Sequence, residues 1–173
     1  MTTLRICIDV DDLDKGIDFY SKAIGLRVGR RLARDWVELL GASSPIDLLA
    51  NPAGSVPVRG GSMARDYRRH WTPVHLDFVV EDLGAAVRRA EGAGAVLEGG
   101  IQEKKWGRLA NMADPFGNGL CLLEFQGRGY DELINLVGQS HRTCAVRVIQ
   151  PTPPRPSRIT TQNWTEPVVL GAV

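Results

Sequence analysis

Five polar residues carry the chemical potential of this chain. Arg5 and Asp9 lie in the run Arg5-Ile6-Cys7-Ile8-Asp9-Val10, and His75 and Asp77 lie in His75-Leu76-Asp77-Phe78-Val79-Val80. Glu124 closes Leu120-Cys121-Leu122-Leu123-Glu124. Side chains alternate along a strand. Ile6, Ile8 and Val10 therefore share one face and Arg5, Cys7 and Asp9 the other, while Leu76, Phe78 and Val80 oppose His75, Asp77 and Val79. The apolar faces must pack beneath helices, which turns Arg5 with Asp9, and His75 with Asp77, toward an inner cavity. Charged groups in such a place are costly unless they pair, hold a metal or meet a ligand. An arginine fork suits a ligand carboxylate or phosphate, and an imidazole can act as donor, acceptor or general base. The same alternation groups Leu120, Leu122 and Glu124, with Ile46, Leu48 and Ala50 as their counterpart. His75 and Glu124 become the expected catalytic pair.

The elements that position these residues are written twice. Ile8-Asp9-Val10-Asp11-Asp12-Leu13 recurs as Phe78-Val79-Val80-Glu81-Asp82-Leu83, 70 residues later, and a helical pattern follows each copy. One such unit cannot bury its own sheet, so two imply a paired structure around a shared cavity. In the first copy a strand at 4–10 leads through Asp12, a good N-cap, into a helix with Leu13, Ile17, Tyr20 and Ile24 on one stripe, ended by Gly25. Strands are expected at 26–33, 35–41 and 45–50. The second copy repeats the plan with a strand at 74–80, a helix capped by Asp82, and strands near 95–103, 107–113 and 118–126. The expected organisation is a first module at 4–50, a connection at 51–73, a second module at 74–126, a short helix at 127–138 and a proline-containing arm at 139–173.

Bulk properties exclude several function classes. With 21 basic against 20 acidic residues, the chain has no electrostatic footprint for nucleic acid or an anionic membrane. No apolar run approaches the ~20 residues of a membrane span, and the N-terminal residues have no apolar signal core, so a cytoplasmic protein is expected. Three cysteines without metal-type spacing make reduced thiols the default. Trp36, Trp71 and Trp106 offer flat surfaces on strands or beside the cavity entrance.

The repeated strand–Asp-Leu–helix unit, with Phe19-Tyr20 and Ile24-Gly25-Leu26, and the segment Asp114-Pro115-Phe116-Gly117-Asn118 ahead of Leu122-Leu123-Glu124 resemble the vicinal oxygen chelate superfamily. That group includes glyoxalase I, extradiol dioxygenases, fosfomycin-resistance transferases and bleomycin-resistance binding proteins. The resemblance spans residues 4–126. It implies an α+β fold of two βαβββ modules that form a cup-shaped mixed sheet with helices on its outer face, and a homodimer that completes or extends it. It also implies that metal ligands, where used, lie on the first and last strands of each module. Those positions fall on Arg5, Ala50, His75 and Glu124, of which only His75 and Glu124 can ligate. One imidazole and one carboxylate fall short of the three protein ligands of a catalytic zinc site, and Asp77, Asp9 or His70 are the substitutes available.

Three readings follow. In the first, the protein binds a small molecule in the cup between its modules, without a full metal site or cofactor, through Arg5, Asp9, Asp77, Trp36 and Trp106. In the second, it is a lyase, isomerase or dioxygenase of glyoxalase type holding zinc, nickel, manganese or iron on His75 and Glu124. In the third, Arg5 and Glu124 are a buried ion pair that only preserves the cup.

Overall fold

The structure, a computed structural model, describes residues 1–134. Each half opens on a short strand, β1 (Ile6–Val10) and later β5 (Leu76–Val79), followed by a capped helix. The Asp12 carboxylate accepts from the Lys15 backbone N–H at 3.0 Å to start α1 (Leu13–Ile24). Gly25, at φ 83°, ends it in the left-handed conformation that glycine adopts without penalty. The Asp82 carboxylate repeats the cap for α2 (Leu83–Gly92), accepting from Ala85 at 2.9 Å. β2 (Arg27–Ala33), β3 (Trp36–Leu40) and β4 (Ile46–Ala50) complete the first unit; β6 (Val96–Lys104), β7 (Gly107–Ala113) and β8 (Gly119–Phe125) complete the second.

The strands form two four-stranded mixed sheets of the same topology, β1-β4-β3-β2 and β5-β8-β7-β6. β1 and β5 run parallel to β4 and β8, and the remaining pairs are antiparallel. The expected α+β fold with two βαβββ units is the fold of the protein. β5 is shorter than the expected strand at 74–80 because its ladder with β8 begins at the Leu76–Leu120 pair, leaving Val74 and His75 ahead of it. Residues 131–134 are helical. Residues 127–130 of the helix expected at 127–138 form a turn, and 135–138, like the arm at 139–173, lie outside the described residues.

One hydrophobic core joins the two units. α1 and α2 pack against each other and against the sheets, so that Phe19, Tyr20, Leu48, Leu83 and Leu122 belong to a single buried cluster. The Tyr20 hydroxyl crosses between the units to donate to Asp114 at 2.7 Å. Asp114 also accepts from the backbone N–H groups of Phe116 and Asn118, which pins the turn before β8. Burial first, and Asp114 second, hold the Tyr20 hydroxyl well above its ordinary pKa.

The helices cover one face of each sheet and leave the other open in part. Trp36 on the first inner face is 39% exposed, and Val79 and Phe125 on the second are 57% and 39% exposed. Among the described residues, no strand of one sheet is hydrogen-bonded to the other sheet.

Candidate functional site

Strand register decides which residues share the inner faces. Asp47 lies beside Cys7 in the β1–β4 ladder, and Cys121 lies beside Asp77 in the β5–β8 ladder. Cys7 and Asp77 are 70 residues apart, as are Arg5 and His75. The repeat therefore makes Arg5 with Asp47 equivalent to His75 with Cys121.

On the first sheet these positions form a charge network. Arg5 donates through Nε and Nη2 to both Asp47 oxygens, at 3.0 and 2.7 Å, and through Nη2 to Glu38 at 2.8 Å. Arg30 holds the same Glu38 carboxylate through Nε and Nη2, at 2.8 and 2.7 Å. Glu38 and Asp47 are 3% and 1% exposed, so the arginine forks are what satisfies them. Arg30 chiefly, with Arg5, holds the Glu38 carboxyl at about 2, and the two carboxylates in turn raise the Arg5 pKa.

On the second sheet a different cluster occupies the equivalent place. His75 Nε2 lies 3.2 Å from Asp77 Oδ1. The Cys121 thiol, 3.4 Å from Asn111 Oδ1, is pushed up to about 12 by burial and by neighbouring Asp77. The ligating atoms of His75, Asp77 and Cys121 all lie within 4.8 Å of one another. An imidazole, a carboxylate and a thiol are a chemically suitable donor set for a borderline-soft divalent ion such as zinc. A cavity of about 390 Å³ opens between β1 and the start of β5, with His75, Cys7, Asp9 and Asn118 in its wall. A larger one of about 840 Å³ adjoins it under residues 63–73 and shares Asp9, Thr72 and Asn118.

The structure does not bring His75 and Glu124 together. Glu124 lies on the helix-covered face with Leu120 and Leu122, and accepts from the Leu83 backbone N–H at 2.7 Å and from the Arg108 guanidinium. Arg108 first, then the Leu83 N–H, holds its carboxyl at about 2. It ties the start of α2 to β7 and β8, so the catalytic and metal pairing of His75 with Glu124 is corrected, as is an ion pair between Arg5 and Glu124. The positions beside Arg5 and His75 are Asp47 and Cys121, in place of Ala50 and Glu124, because Ala50 pairs with Val10 on the helix-covered face.

The other expected contacts divide. Asp9 spends both oxygens on the connecting segment, accepting from Asn51 Nδ2 at 2.8 Å and Arg65 Nε at 2.6 Å. Asp77 stays with His75. Trp36 lies open on the first inner face, in register with Leu49. Trp106 sits in the β6–β7 turn, edge-on to Phe125 and Tyr130 with centroids 5.8 and 5.0 Å away. Glu38, Asp47 and Cys121 are the members that reading the sequence missed. Their signal is present in Val37-Glu38-Leu39 and Ile46-Asp47-Leu48, where one carboxylate interrupts an apolar run.

Comparison with known proteins gives concordant results. The sequence profile of the glyoxalase-like domain matches residues 5–123. An uncharacterised protein of Mycobacterium bovis is 34% identical over 115 residues, covering 63% of this chain and 74% of that protein. One from Mycobacterium tuberculosis is also 34% identical, with 66% of its length covered. The fold resembles a fosfomycin resistance protein of Listeria monocytogenes, with a TM-score of 0.56 at 16% identity over 73% of this chain and 94% of that one. It resembles a glyoxalase-related enzyme of Fulvimarina pelagi, with a TM-score of 0.57 at 16% identity over 71% of this chain and 87% of that one. It also resembles an antibiotic-binding protein of a Streptomyces species, with a TM-score of 0.51 at 22% identity over 73% of this chain and 97% of that one.

Proposed function

The chain belongs to the glyoxalase-like domain family of the vicinal oxygen chelate superfamily, and on that premise we propose that it binds a small organic molecule against its inner faces without a complete metal site. The observation that carries this reading is the Arg5–Asp47 pair. Two of the four equivalent inner positions are spent on an ion pair closed further by Glu38 and Arg30, which leaves neither of them for a metal. His75, set by Asp77, offers the ligand an imidazole edge in a wall that also holds Ile6, Ile8 and Leu76 beside Asp9 and Asn118. Relatives of the same fold include a fosfomycin resistance protein and an antibiotic-binding protein, which supports a small-molecule ligand. The open inner faces support a homodimer in which a second copy covers them. A thermal-shift screen of small molecules on the full chain tests the proposal, with His75→Ala as the control. Hits lost in His75→Ala are expected; no hit, or hits indifferent to that change, would sink it.

The His75–Asp77–Cys121 group favours a second reading, a metal-dependent lyase, isomerase or dioxygenase. A divalent ion there would act as a Lewis acid, held by these three side chains. The Cys121 proton must leave for the thiol to ligate, so this reading predicts proton release on metal addition.

A further inference from the structure

We infer that Trp71, carried on the connecting segment, is the specificity-determining wall of the small-molecule site, and that the ligand is a flat, uncharged ring system. The inference rests on the small-molecule reading above and deepens it.

The connecting segment is seated at both ends. At its start the Asp9 carboxylate takes Asn51 and Arg65, and the Tyr67 hydroxyl donates to the Asn51 carbonyl at 2.7 Å. At its end the His70 backbone N–H donates to the Gly117 carbonyl at 2.9 Å. Two glycines make that seat possible. A Cβ on Gly117 would collide with the Arg68 carbonyl, and a Cβ on Gly119 would fall within the Trp71 ring. The close approach brings Trp71 against His75, with ring centroids 4.9 Å apart. Trp71 is nonetheless 48% exposed and lines the larger cavity. Trp71 thus links that cavity to the imidazole of the candidate site.

The lining selects the chemistry. Tyr67, His70 and Trp71 line one space together with Met63 and Pro73. Each of the three arginines in the same wall already has a carboxylate partner, Arg65 with Asp9, Arg68 with Asp66 and Arg69 with Glu98, so the wall carries little unbalanced positive charge. An anionic ligand gains little from a wall whose charges are balanced, whereas a neutral conjugated ring needs only to cover apolar and aromatic surface.

The test is calorimetric titration of the full chain with 2-naphthol, against octanol as a neutral non-aromatic probe and 2-naphthoate as an anionic one. Wild type is expected to prefer 2-naphthol, and Trp71→Ala to weaken it roughly three- to tenfold, the range of an aromatic contact. Trp71→Phe should fall between the two. Gly119→Ala, which keeps Trp71 but displaces its ring, should weaken binding as Trp71→Ala does and covers the case in which Trp71→Ala fails to fold. Equal binding by wild type, Trp71→Ala and Gly119→Ala overturns the inference while leaving small-molecule binding intact. So does weakening by Trp36→Ala with none by Trp71→Ala, which puts the ligand on the first sheet. Preference for octanol or 2-naphthoate, or no binding of 2-naphthol, overturns the ligand class. Failure of the parent reading is separate: no compound in the wider screen shifts the wild-type melting temperature.

Discussion

Arg5 and His75 stand at the same position of the two repeated units, yet Arg5 is locked by the buried carboxylates of Asp47 and Glu38 while His75 keeps a half-open imidazole beside Asp77. The repeat thus carries a closed charge network in one unit and a His75–Asp77–Cys121 group in the other. The consequences are separable by measurement.

Arg5→Met leaves Asp47 and part of Glu38 without a counter-charge in a buried setting. Removing one partner of such a pair costs more than the pair contributes, so the melting temperature should fall by several degrees. Asp47→Asn in the same chain should recover part of the loss, because the two changes act on one interaction. Additive losses in the double variant would contradict the network.

Stability should fall in acid. The Glu38 and Glu124 carboxyls are held at about 2, against 4.5 when unperturbed. In that window the unfolded chain binds more protons than the folded one. The contribution is therefore present above about pH 4.5 and lost as pH falls toward 2. Melting temperatures between pH 6 and pH 2 read the slope, which Glu124→Gln should flatten; an unchanged slope would argue against the Arg108 and Leu83 contacts.

The two described cysteines should react differently. Cys7 is exposed, whereas the Cys121 thiol is buried and pushed up to about 12, so it carries little thiolate at neutral pH. Iodoacetamide at pH 8 should label Cys7 and spare Cys121, as read by peptide mass mapping. Equal labelling would mean that Asp77 and burial do not govern Cys121.

Tyr20→Phe removes the hydroxyl that joins the two units through Asp114. The expected cost is about 1.5–3 kcal/mol, the range for a hydrogen bond to a charged group. Chemical denaturation should show this loss with one cooperative transition; two transitions would mean that the units are not joined by a common core.

The fold was legible because its signals are local: Asp12 and Asp82 cap helices whose apolar stripes are plain, and Ile6-Cys7-Ile8-Asp9-Val10 alternates cleanly. Half of the site was legible for the same reason, since alternation alone places His75 and Asp77 on the inner face. The rest depended on long-range register. Glu124 follows Leu120 and Leu122 onto the helix-covered face, and its partner Arg108 comes from β7. The partner of Asp9 is Arg65, 56 residues away on a segment without periodicity. Asp47 and Cys121 are identified only once the β1–β4 and β5–β8 ladders are in place.

The most direct test of a metal-free binding site is the metal content of the full chain. Protein purified without chelators or metal-affinity resin would be assayed by elemental mass spectrometry before and after separate addition of zinc, nickel, manganese and ferrous iron. The account predicts well under one tightly held ion per chain, with no difference between wild type and His75→Ala. About one ion per chain, lost in His75→Ala and Cys121→Ala, would contradict it and make the His75–Asp77–Cys121 group a metal centre.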